Sequence, residues 1–443
     1  MSHDTRTGEI HVPILARVEG EGALDIRIAT GRIEALTLRI FEPPRLFEKL
    51  LEGRSTQDVI DSVARICGIC PVAYQMSAVA AIESILGVTP SPWVEAMRRV
   101  MYCGEWLQSH SLHIHLLAAP DFLGFESAPA MARDYPDEVR RGLRLQGLGN
   151  EIIRTFGGRS VHPVGICPGG FFHAPDTAAI ETLRQHLAEG LEEARELITW
   201  VAGLPLPEDD QAFVSVSLRH DHDYPITEGR IVSDQGLDIA PADFEQHFRE
   251  FQVPHSTALH AQLDGHPYLV GPLARLNNNL DRLPEELRQQ LDDLGVRFPS
   301  RNMFHSIVAR AVEMHVALAE ALRLTEDYDP AAEPRVEAPA RAGVGVGCTE
   351  APRGILWHRY ALDDQARVVE ARIVPPTSQN QARMEEDLAA SLTRFGLERD
   401  DDALRLHGEM VIRNYDPCIS CATHFLDFHV LRKNDLREND WRR

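Results

Sequence analysis

Alternating apolar residues predict a β-hairpin near the start of the chain. Apolar side chains occupy every second position from Leu24 to Ile28 and again from Leu36 to Ile40, on either side of Thr30-Gly31. A period of two is typical of a half-buried strand, and a short turn containing glycine joins two such strands. We therefore expect residues 23–41 to form an antiparallel hairpin.

Helical spacing replaces this alternation after the hairpin. Ser55, followed three residues later by Asp58, predicts a helix that begins with a capping-box-like arrangement. Pro71 suits the first turn of the next helix, whose apolar pattern ends before Gly87. The segment 67–70 therefore closes one helix just before another begins.

Longer helical patterns begin behind Ser91 and Asp176 and continue over residues 303–324. They lack a polar face over much of their length, which is typical of helices buried in a bundle. Residues 211–270 have short periods and many turn residues, and we expect a small inserted lobe there. Residues 329–347, rich in proline and glycine, predict an irregular connection. The fold class predicted is α+β and mainly helical, with a buried helix bundle, an N-terminal β-hairpin and small mixed α/β lobes.

The length and charge of the chain limit its functions. With 443 residues, 44% of them hydrophobic, it can form one elaborate domain or several. Its 67 acidic and 45 basic residues give a net charge of -22, which argues against nucleic-acid or anionic-membrane surfaces because these need clustered lysine and arginine. The N-terminus lacks a signal-peptide pattern, and no run approaches the ~20 apolar residues of a membrane span. We therefore expect no membrane span and a reducing, cytoplasmic location.

Two cysteine pairs have the spacing of metal ligands. Cys67 with Cys70, and Cys418 with Cys421, both form Cys-x-x-Cys, in which two thiolates can bind one ion. The seven cysteines are unevenly spaced and do not suggest a disulfide framework. The spacing alone is compatible with a structural zinc site, a thioredoxin-like redox pair or a soft transition-metal site. Because the pairs lie near opposite ends of the chain, a zinc ribbon is disfavoured.

The residues around both pairs resemble the large subunit of nickel–iron hydrogenases. "RICGICPVAYQMSA" from Arg65 and "DPCISCATH" from Asp416 are similar to its motifs R-x-C-G-x-C and D-P-C-x-x-C-x-x-H. Further similar segments occur in the same order: "RVEGEG" at Arg17, "LFEKLLEGR" at Leu46, "HSLHIHLLAAPD" at His110, "GGRSVHP" at Gly157, "EAPRG" at Glu350 and "VPPTSQN" at Val374. Since the resemblance covers nearly the whole chain, it implies a single domain over residues 1–443. "CPVAYQMSA" and "LLAAPD" are more similar to the cytoplasmic, cofactor-coupled members.

The resemblance implies a nickel–iron centre that cleaves dihydrogen. In the family, four cysteines hold nickel, and an iron with carbon monoxide and cyanide ligands shares two of them. Carried over, Cys67 and Cys418 are terminal nickel ligands, while Cys70 and Cys421 bridge to iron. Heterolytic cleavage needs a metal that accepts hydride and a base that accepts a proton, and four thiolates provide a soft, electron-rich ligand set.

The resemblance also implies a proton relay and a second ion. Cys418 would receive the proton, and Glu19 matches the relay carboxylate that accepts it next. On spacing alone, Glu19 would be an exposed acid. Glu48 and His424 match ligands of magnesium, or of a second iron, near the C-terminus, and the main-chain carbonyl of Gln381 completes that site.

Further residues are implied at the open face between the metals. Carried over, Arg353 would lie above this face with Asp121 and Asp416. A guanidinium there donates fixed hydrogen bonds and keeps its charge. Thr377 is expected to donate a hydrogen bond to a cyanide, and Pro352 is assigned to the cofactor-binding residues. Taken alone, Arg353 would be a surface ion pair.

Tyr74 departs from the family pattern, and three histidines lie close together in the chain. Many relatives have histidine where this chain has Tyr74, and tyrosine, which titrates near ~10, cannot act as a base at neutral pH. His110, His113 and His115 could suggest a zinc site. Their spacing does not place all three on one helical face, so we expect core or supporting roles.

The resemblance implies partner proteins. Cys103, Cys167 and Cys348 remain once the two pairs are used, whereas an iron–sulfur cluster takes about four thiolates. We therefore expect an iron–sulfur small subunit to accept the electrons, together with diaphorase-type electron-transfer subunits. In the family a maturation endopeptidase cuts after the motif histidine, here His424, so we expect residues 425–443 to be removed once nickel is in place.

Two other functions remain compatible with the residues. A quinone-site subunit like that of respiratory complex I shares the ancestry but lacks the four cysteines. A zinc-stabilised scaffold without catalysis would use the same thiols for structure alone. The metal content distinguishes them: nickel with iron indicates a hydrogenase, and zinc alone indicates a scaffold.

Overall fold

The structure, a computed structural model, describes residues 6–423. The predictions for His424 and for residues 425–443 lie outside this range. The α-helices in it are α1 (Phe47–Leu51), α2 (Thr56–Val63), α3 (Pro71–Leu86), α4 (Pro92–Leu112), α5 (Ala119–Phe122), α6 (Ala128–Met131), α7 (Pro136–Gly157), α8 (Thr177–Ala202), α9 (Phe244–His247), α10 (Pro272–Asn279), α11 (Glu285–Asp293), α12 (Ser306–Glu326), α13 (Pro376–Phe395), α14 (Asp401–Tyr415) and α15 (Ile419–Ala422).

The strands form small antiparallel sheets around these helices. They are β1 (Gly8–Val12), β2 (Gly22–Ala29), β3 (Arg32–Ile40), β4 (Ile166–Cys167), β5 (Gly170–Phe171), β6 (Val216–Arg219), β7 (Arg230–Ser233), β8 (Asp238–Ile239), β9 (Phe248–Phe251), β10 (His260–Leu263), β11 (Gly343–Ala351), β12 (Gly354–Leu362) and β13 (Val368–Val374). The sheets are β1-β2-β3, β4-β5, β6-β7-β8, β9-β10 and β11-β12-β13. The α+β class is confirmed.

The N-terminal hairpin is confirmed as β2 and β3. Thr30 and Gly31 both have positive φ angles, 49° and 72°, as a tight two-residue hairpin turn requires. Strand β1 adds a third member that the pattern did not predict, pairing antiparallel with β2 so that Ile10 lies opposite Ile26. Their apolar side chains face the core.

Local signals determine the helices on either side of the first cysteine pair. At the start of α2, the Ser55 hydroxyl accepts from the Asp58 N–H, and the Asp58 carboxylate accepts from the Ser55 N–H, which completes the capping box. Helix α3 begins at Pro71 and ends at Leu86, and Gly87, with a φ of +68°, caps its C-terminus. The first cysteine pair therefore lies in the short connection between two well-defined helices.

The long helices form the buried bundle. Helix α4 packs against α7 and α12, and α12 packs against α8. In α3 every side chain except Ala80 and Ser84 is buried, which agrees with its lack of a polar face. After α4, a π-helical turn over His113–Ala118 leads into α5. None of the helices in residues 6–423 is both long and apolar enough to cross a membrane.

The prediction for residues 329–347 is wrong at its C-terminal end, because β11 begins at Gly343. Glycine usually weakens a strand, but here it allows β11 to pack closely on α3. A Cβ at Gly345 would lie 2.3 Å from the Ala81 carbonyl oxygen, and one at Gly347 would lie 2.1 Å from that of Ser77. The glycines reflect close helix–strand packing, a contact that local sequence cannot reveal.

Residues 211–270 contain the short strands β6 to β10, in keeping with their short periods. Their apolar side chains form a second core cluster with β12 and β13, in which Phe244 stacks on Trp357 with a centroid distance of 4.9 Å. The segment thus packs directly on the β11-β12-β13 sheet. The boundaries of the inserted lobe, and the single domain over 1–443, stay predictions.

Candidate metal centre

Four thiols from opposite ends of the chain converge in the core. Cys67 and Cys70 lie between α2 and α3, and Cys418 and Cys421 follow α14. All four sulfur atoms lie within 4.8 Å of one another. The Sγ–Sγ distances are 3.2 Å from Cys67 to Cys418, 3.5 Å from Cys70 to Cys421 and 2.7 Å from Cys418 to Cys421. The fold therefore joins the two Cys-x-x-Cys segments in one buried cluster, hereafter the thiol site.

A buried carboxylate positions the first cysteine pair. Glu105, from the middle of α4, accepts hydrogen bonds from the N–H groups of Val72 (2.5 Å) and Ala73 (3.0 Å). These amides belong to the first turn of α3 and have no partners within the helix. Burial raises the pKa of Glu105 well above its usual value despite these bonds. Glu105 was not predicted from the sequence, since nothing in α4 links it to a motif more than thirty residues earlier.

Contacts with two distant segments hold the second pair. The Thr377 hydroxyl accepts from the Cys418 N–H at 3.1 Å, and the Glu19 carbonyl accepts from the Ile419 N–H at 2.9 Å. The N-terminal segment fits closely here, since a Cβ at Gly20 would lie 2.6 Å from the Ile419 Cβ. Thr377 thus binds the backbone at the cysteine, and its hydrogen bond to a cyanide stays a prediction.

Arg45 connects the two cysteine segments, a role that was also not predicted from the sequence. Its guanidinium donates to the Ile66 carbonyl at 2.6 Å, next to Cys67, and to the carbonyl of Ser420, next to Cys421. Its backbone N–H donates to the Thr423 carbonyl. An arginine before a short helix carries no local signal of such a role, because its acceptors lie far away along the chain.

Burial of the four sulfur atoms dominates the electrostatics of the thiol site. Burial raises the pKa of Cys70, Cys418 and Cys421. At Cys67 burial is outweighed by hydrogen bonds from the other thiols and by the charge of Arg353, which together hold its pKa well below the usual value. Three of the four sulfurs therefore favour the neutral thiol, and more than one thiolate in this dry interior would need a cation among them.

Glu19 lies directly beside the thiol site. Its Oε2 accepts from the Cys418 thiol at 3.2 Å and from the Ser420 N–H at 3.0 Å. Burial, and the nearby Cys67, raise the pKa of Glu19 above its usual value. The carboxyl group is therefore within reach of a proton on Cys418.

Arg353 also lies near the thiols and is only 3% exposed. It donates to the Asp416 carbonyl from Nε (2.6 Å), to the Asp416 carboxylate from a terminal nitrogen (2.9 Å) and to the Ser109 hydroxyl (3.2 Å). Although burial lowers its pKa, Asp416 and the nearby thiolates raise it well above the usual value. The charge of Arg353 is therefore permanent, and Ser109 is a supporting residue that the sequence analysis did not identify.

Asp121 forms ion pairs with arginines other than Arg353 among the described residues. In the described part of the chain Asp121 pairs with Arg17 and with Arg413. The Arg413 guanidinium donates to the two carboxylate oxygens of Asp121 at 2.7 and 3.0 Å. The Arg413 side chain also donates to Glu409. Asp121 is already engaged by two nearer arginines, and Asp416 alone of the two predicted acids pairs with Arg353.

The predicted second-ion residues are described only in part, because His424 lies outside residues 6–423. Glu48 accepts from the Ile373 N–H at 2.7 Å, and burial, together with the charge of Glu250, raises its pKa to about 8. It lines a cavity of about 350 Å³ with Glu250 and Glu370. Gln381 is fully buried, and its amide oxygen and nitrogen have no hydrogen-bond partner within that range.

Pro352 and Tyr74 are buried near the centre. The Pro352 carbonyl accepts from Arg275 at 3.4 Å. Burial and the charges of Cys421 and Cys70 raise the pKa of Tyr74 well above its usual value, so its phenol stays neutral. The phenol hydroxyl forms no hydrogen bond of normal geometry among the described residues.

The three clustered histidines have core roles, as expected. His110 contacts Glu313 at 2.9 Å, His113 contacts the Arg413 carbonyl at 2.8 Å, and His115 stacks on Trp200. Burial lowers their pKa values to about 4, 3 and 4. Within residues 6–423 they do not form a metal-binding group.

Comparison with known proteins agrees with this site. The family model described as nickel-dependent hydrogenase matches residues 45–139 and 249–424, more than half of the chain. The alpha subunit of sulfhydrogenase 1 from Pyrococcus furiosus is 32% identical over 424 residues, which cover 94% of this chain and 98% of that protein. The beta subunit of the NAD-reducing hydrogenase HoxS from Cupriavidus necator is 28% identical, with 93% of this chain and 94% of that protein covered.

A solved structure of an NAD⁺-reducing [NiFe]-hydrogenase in the H₂-reduced state has a similar fold. Its TM-score is 0.84 at 27% identity, and the match covers 94% of this chain and all of that chain. The similarity therefore extends over nearly the whole molecule.

Proposed function

The chain belongs to the nickel-dependent hydrogenase family, and we propose that its thiol site catalyses the reversible heterolytic cleavage of dihydrogen into protons and electrons. The observation that carries this proposal is the contact between a buried four-sulfur cluster and one carboxyl group. The Cys418 sulfur lies 3.2 Å from the Glu19 carboxylate. The chain is thus the catalytic subunit of a hydrogenase.

The donor set fits a nickel–iron pair. Four buried sulfurs within 4.8 Å form the soft ligand set that late transition metals prefer, and a bound cation would offset the cost of burying thiolates. Cys67 and Cys418 would bind nickel, and Cys70 and Cys421 would bind both nickel and an iron that carries carbon monoxide and cyanide. When bound, the two metals supply the site that accepts the electron pair of dihydrogen.

The chain's own residues move the proton and shape the site. Cys418 is placed to take the proton and to pass it to Glu19, whose raised pKa favours uptake. Arg353, held by Asp416 and Ser109, supplies a fixed positive charge that burial does not remove. The surrounding burial keeps bulk water from the sulfurs.

Metal analysis and isotope exchange on the assembled enzyme test this function. We expect about one nickel with iron per chain and rapid exchange between D₂ and solvent protons. Zinc alone, without exchange, would identify a structural scaffold and overturn the proposal. The family match does not favour that scaffold, and the four cysteines disfavour a quinone-site subunit.

The partner proposals rest on the remaining cysteines and on the relatives. Cys103, Cys167 and Cys348 are buried in α4, β4 and β11, too far apart in the fold to group as ligands within residues 6–423. We therefore propose an iron–sulfur small subunit that receives the electrons. The relatives' names also describe subunits, and the match to an NAD⁺-reducing enzyme supports diaphorase-type partners and a cytoplasmic location.

Two further assignments concern the C-terminus. We propose that Glu48, the Gln381 carbonyl and His424 bind magnesium or a second iron, which the raised pKa of Glu48 and its acidic cavity support. We also propose that an endopeptidase removes residues 425–443 after nickel insertion, because five basic residues in that tail would resist burial beside the site. Intact-mass measurement of nickel-loaded enzyme tests the cleavage, and a chain ending at Arg443 would contradict it.

A further inference from the structure

A second group of metal-type ligands lies outside the thiol site. His255 follows strand β9, His260 begins β10, and Glu385 lies in α13. One ligand atom from each of these side chains lies within 4.8 Å of the others. The hairpin loop thus presents two imidazoles to one carboxylate on a core helix.

The carboxylate bridges the two rings. His255 Nε2 lies 2.8 Å from Glu385 Oε1, and His260 Nε2 lies 3.4 Å from Glu385 Oε2. Ligands about 2.0–2.1 Å from one tetrahedral ion are about 3.3–3.4 Å apart. Small side-chain adjustments would therefore bring all three donors onto one cation.

The polar groups of this cluster are only partly satisfied by other residues. His260 is only 2% exposed, and neither of its ring nitrogens forms a hydrogen bond of normal geometry among the described residues. Glu385 accepts from the Leu38 N–H at 2.9 Å, but no arginine or lysine in residues 6–423 pairs with it. A buried imidazole and a carboxylate without a permanent cation are the groups that a metal ion would complete.

The group is separate from the thiol site. Thr377, which contacts Cys418, and Glu385 both lie in α13, eight residues and therefore about 12 Å apart along the helix axis. The side chain of His255 is 28% exposed, so this group also opens to solvent. An ion could enter here without passing the thiols.

We propose that His255, His260 and Glu385 bind a divalent late transition-metal ion, with zinc as the best-matched occupant. Two imidazoles and a carboxylate form a known zinc ligand set that leaves a fourth position for water. Magnesium is a poor match for this site, because it prefers oxygen ligands to imidazole. Because the ion would bind ligands from both the β9–β10 loop and α13, it would link residues 211–270 to the core.

Cobalt binding to the assembled, nickel-loaded enzyme tests this site. After mild chelation, Co²⁺ is titrated and followed by visible absorption, where nitrogen and oxygen ligation gives ligand-field bands without sulfur charge-transfer bands. We compare wild type with Glu385→Gln and His255→Gln. Glu385→Gln keeps an acceptor for the Leu38 N–H, and His255 lies on a partly exposed loop, so at least one variant should fold normally.

His186→Gln is the matched control. His186 also contacts a carboxylate, that of Glu151 at 3.0 Å, but it has no third ligand in the described structure. We expect wild type and the control to bind one equivalent with non-sulfur bands, and both site variants to bind it at least roughly tenfold more weakly. Zn²⁺ should raise the melting temperature of wild type and of the control only.

Equal Co²⁺ binding by wild type and the two site variants would overturn the proposal. Loss of binding in the His186→Gln control to the same degree would also overturn it, because the ion would then bind nonspecifically. Absorption with sulfur charge transfer would place the bound ion at the thiols, and this result too would contradict the site.

Discussion

Two buried arginines show how similar chemistry can serve stability or function. Arg275 lies within the bundle at 0% exposure, and its guanidinium donates to Glu313 at 2.7 and 2.8 Å and to Glu350 at 2.5 Å. It also lies 4.2 Å from the centroid of the Trp106 ring. His110 and Tyr224 complete the contacts of Glu313. We call Arg275, Glu313, Glu350, His110 and Tyr224 the Arg275 cluster.

Arg353 is buried almost as deeply but is less completely paired. Its acceptors among the described residues are the carboxylate and the carbonyl of Asp416 and the hydroxyl of Ser109, and the thiols lie close by. The second carboxylate oxygen of Asp416 has no hydrogen-bond partner in the described chain. An unsatisfied buried polar atom is costly, and this oxygen belongs to the carboxylate that pairs with Arg353 near the thiols.

The difference suggests that a buried arginine paired with two carboxylates contributes to folding, whereas one paired with a single carboxylate beside the thiols serves the chemistry of the site. Removing a member of the Arg275 cluster should therefore reduce stability. Removing a group at the thiol site should reduce activity and leave the fold largely intact. Variants of both clusters test this distinction.

The largest expected effect is that of Arg275→Met on stability. The substitution leaves Glu313 and Glu350 buried without their cation, which should cost about 3–5 kcal/mol of unfolding free energy. Urea unfolding of the purified enzyme measures it. Arg144→Met is the control, because Arg144 is 57% exposed in its pair with Glu193 and should change stability by less than about 0.5 kcal/mol. Equal effects of the two substitutions would break the comparison.

Glu19→Gln should act on activity alone. Without a titratable carboxyl group beside Cys418, D₂–proton exchange should fall on the order of 10²-fold or more, while nickel content and unfolding stay as in wild type. Glu42→Gln is the matched control. Glu42 accepts a hydrogen bond from the Ser420 hydroxyl at 2.7 Å and touches the same loop. Near-normal exchange in fully loaded Glu19→Gln enzyme would remove Glu19 from proton transfer.

Arg353→Lys should give a smaller loss of activity. Lysine keeps a positive charge but cannot reach both groups of Asp416 with fixed geometry, so turnover should fall about 10–100-fold. The melting temperature and the nickel content should stay close to wild type. A large loss of stability with normal turnover per nickel would show that Arg353 stabilises the fold, as Arg275 does, and does not serve the reaction.

The smallest expected effect is a pH dependence of the Arg275 cluster. Burial lowers the pKa of His110 to about 4, so the folded protein keeps this ring neutral while the unfolded chain takes up a proton below about 6.5. His110 therefore lowers stability as the pH falls from about 6.5 to 4, by about 1–3 kcal/mol. The charge of Arg275 outweighs burial at Glu313 and lowers its pKa to about 2, which adds a loss below about 4.5.

His110→Gln separates these two contributions. Glutamine can still donate to Glu313 but does not titrate, so the difference in unfolding free energy between wild type and variant should shrink as the pH falls toward 4. Urea unfolding at several pH values measures this difference. A constant difference across that range would show that His110 is not the responsible group.

The sequence by itself determined the features that depend on neighbouring residues. Ser91 and Asp176 begin α4 and α8 by accepting from N–H groups three residues ahead, as their positions predicted. The turn at Thr30-Gly31 follows equally from local backbone preferences. The motif residues also indicated correctly that the two cysteine pairs would share one site.

Tertiary structure decided the groups that complete the site and the partner of each charge. Glu105, Arg45 and Ser109 support the cysteines and Arg353 only because packed helices bring them there. Asp121 pairs with Arg17 and Arg413, partners that its motif does not indicate. In a dry interior each charge pairs with the nearest opposite charge, and which charge is nearest depends on contacts between residues distant along the chain.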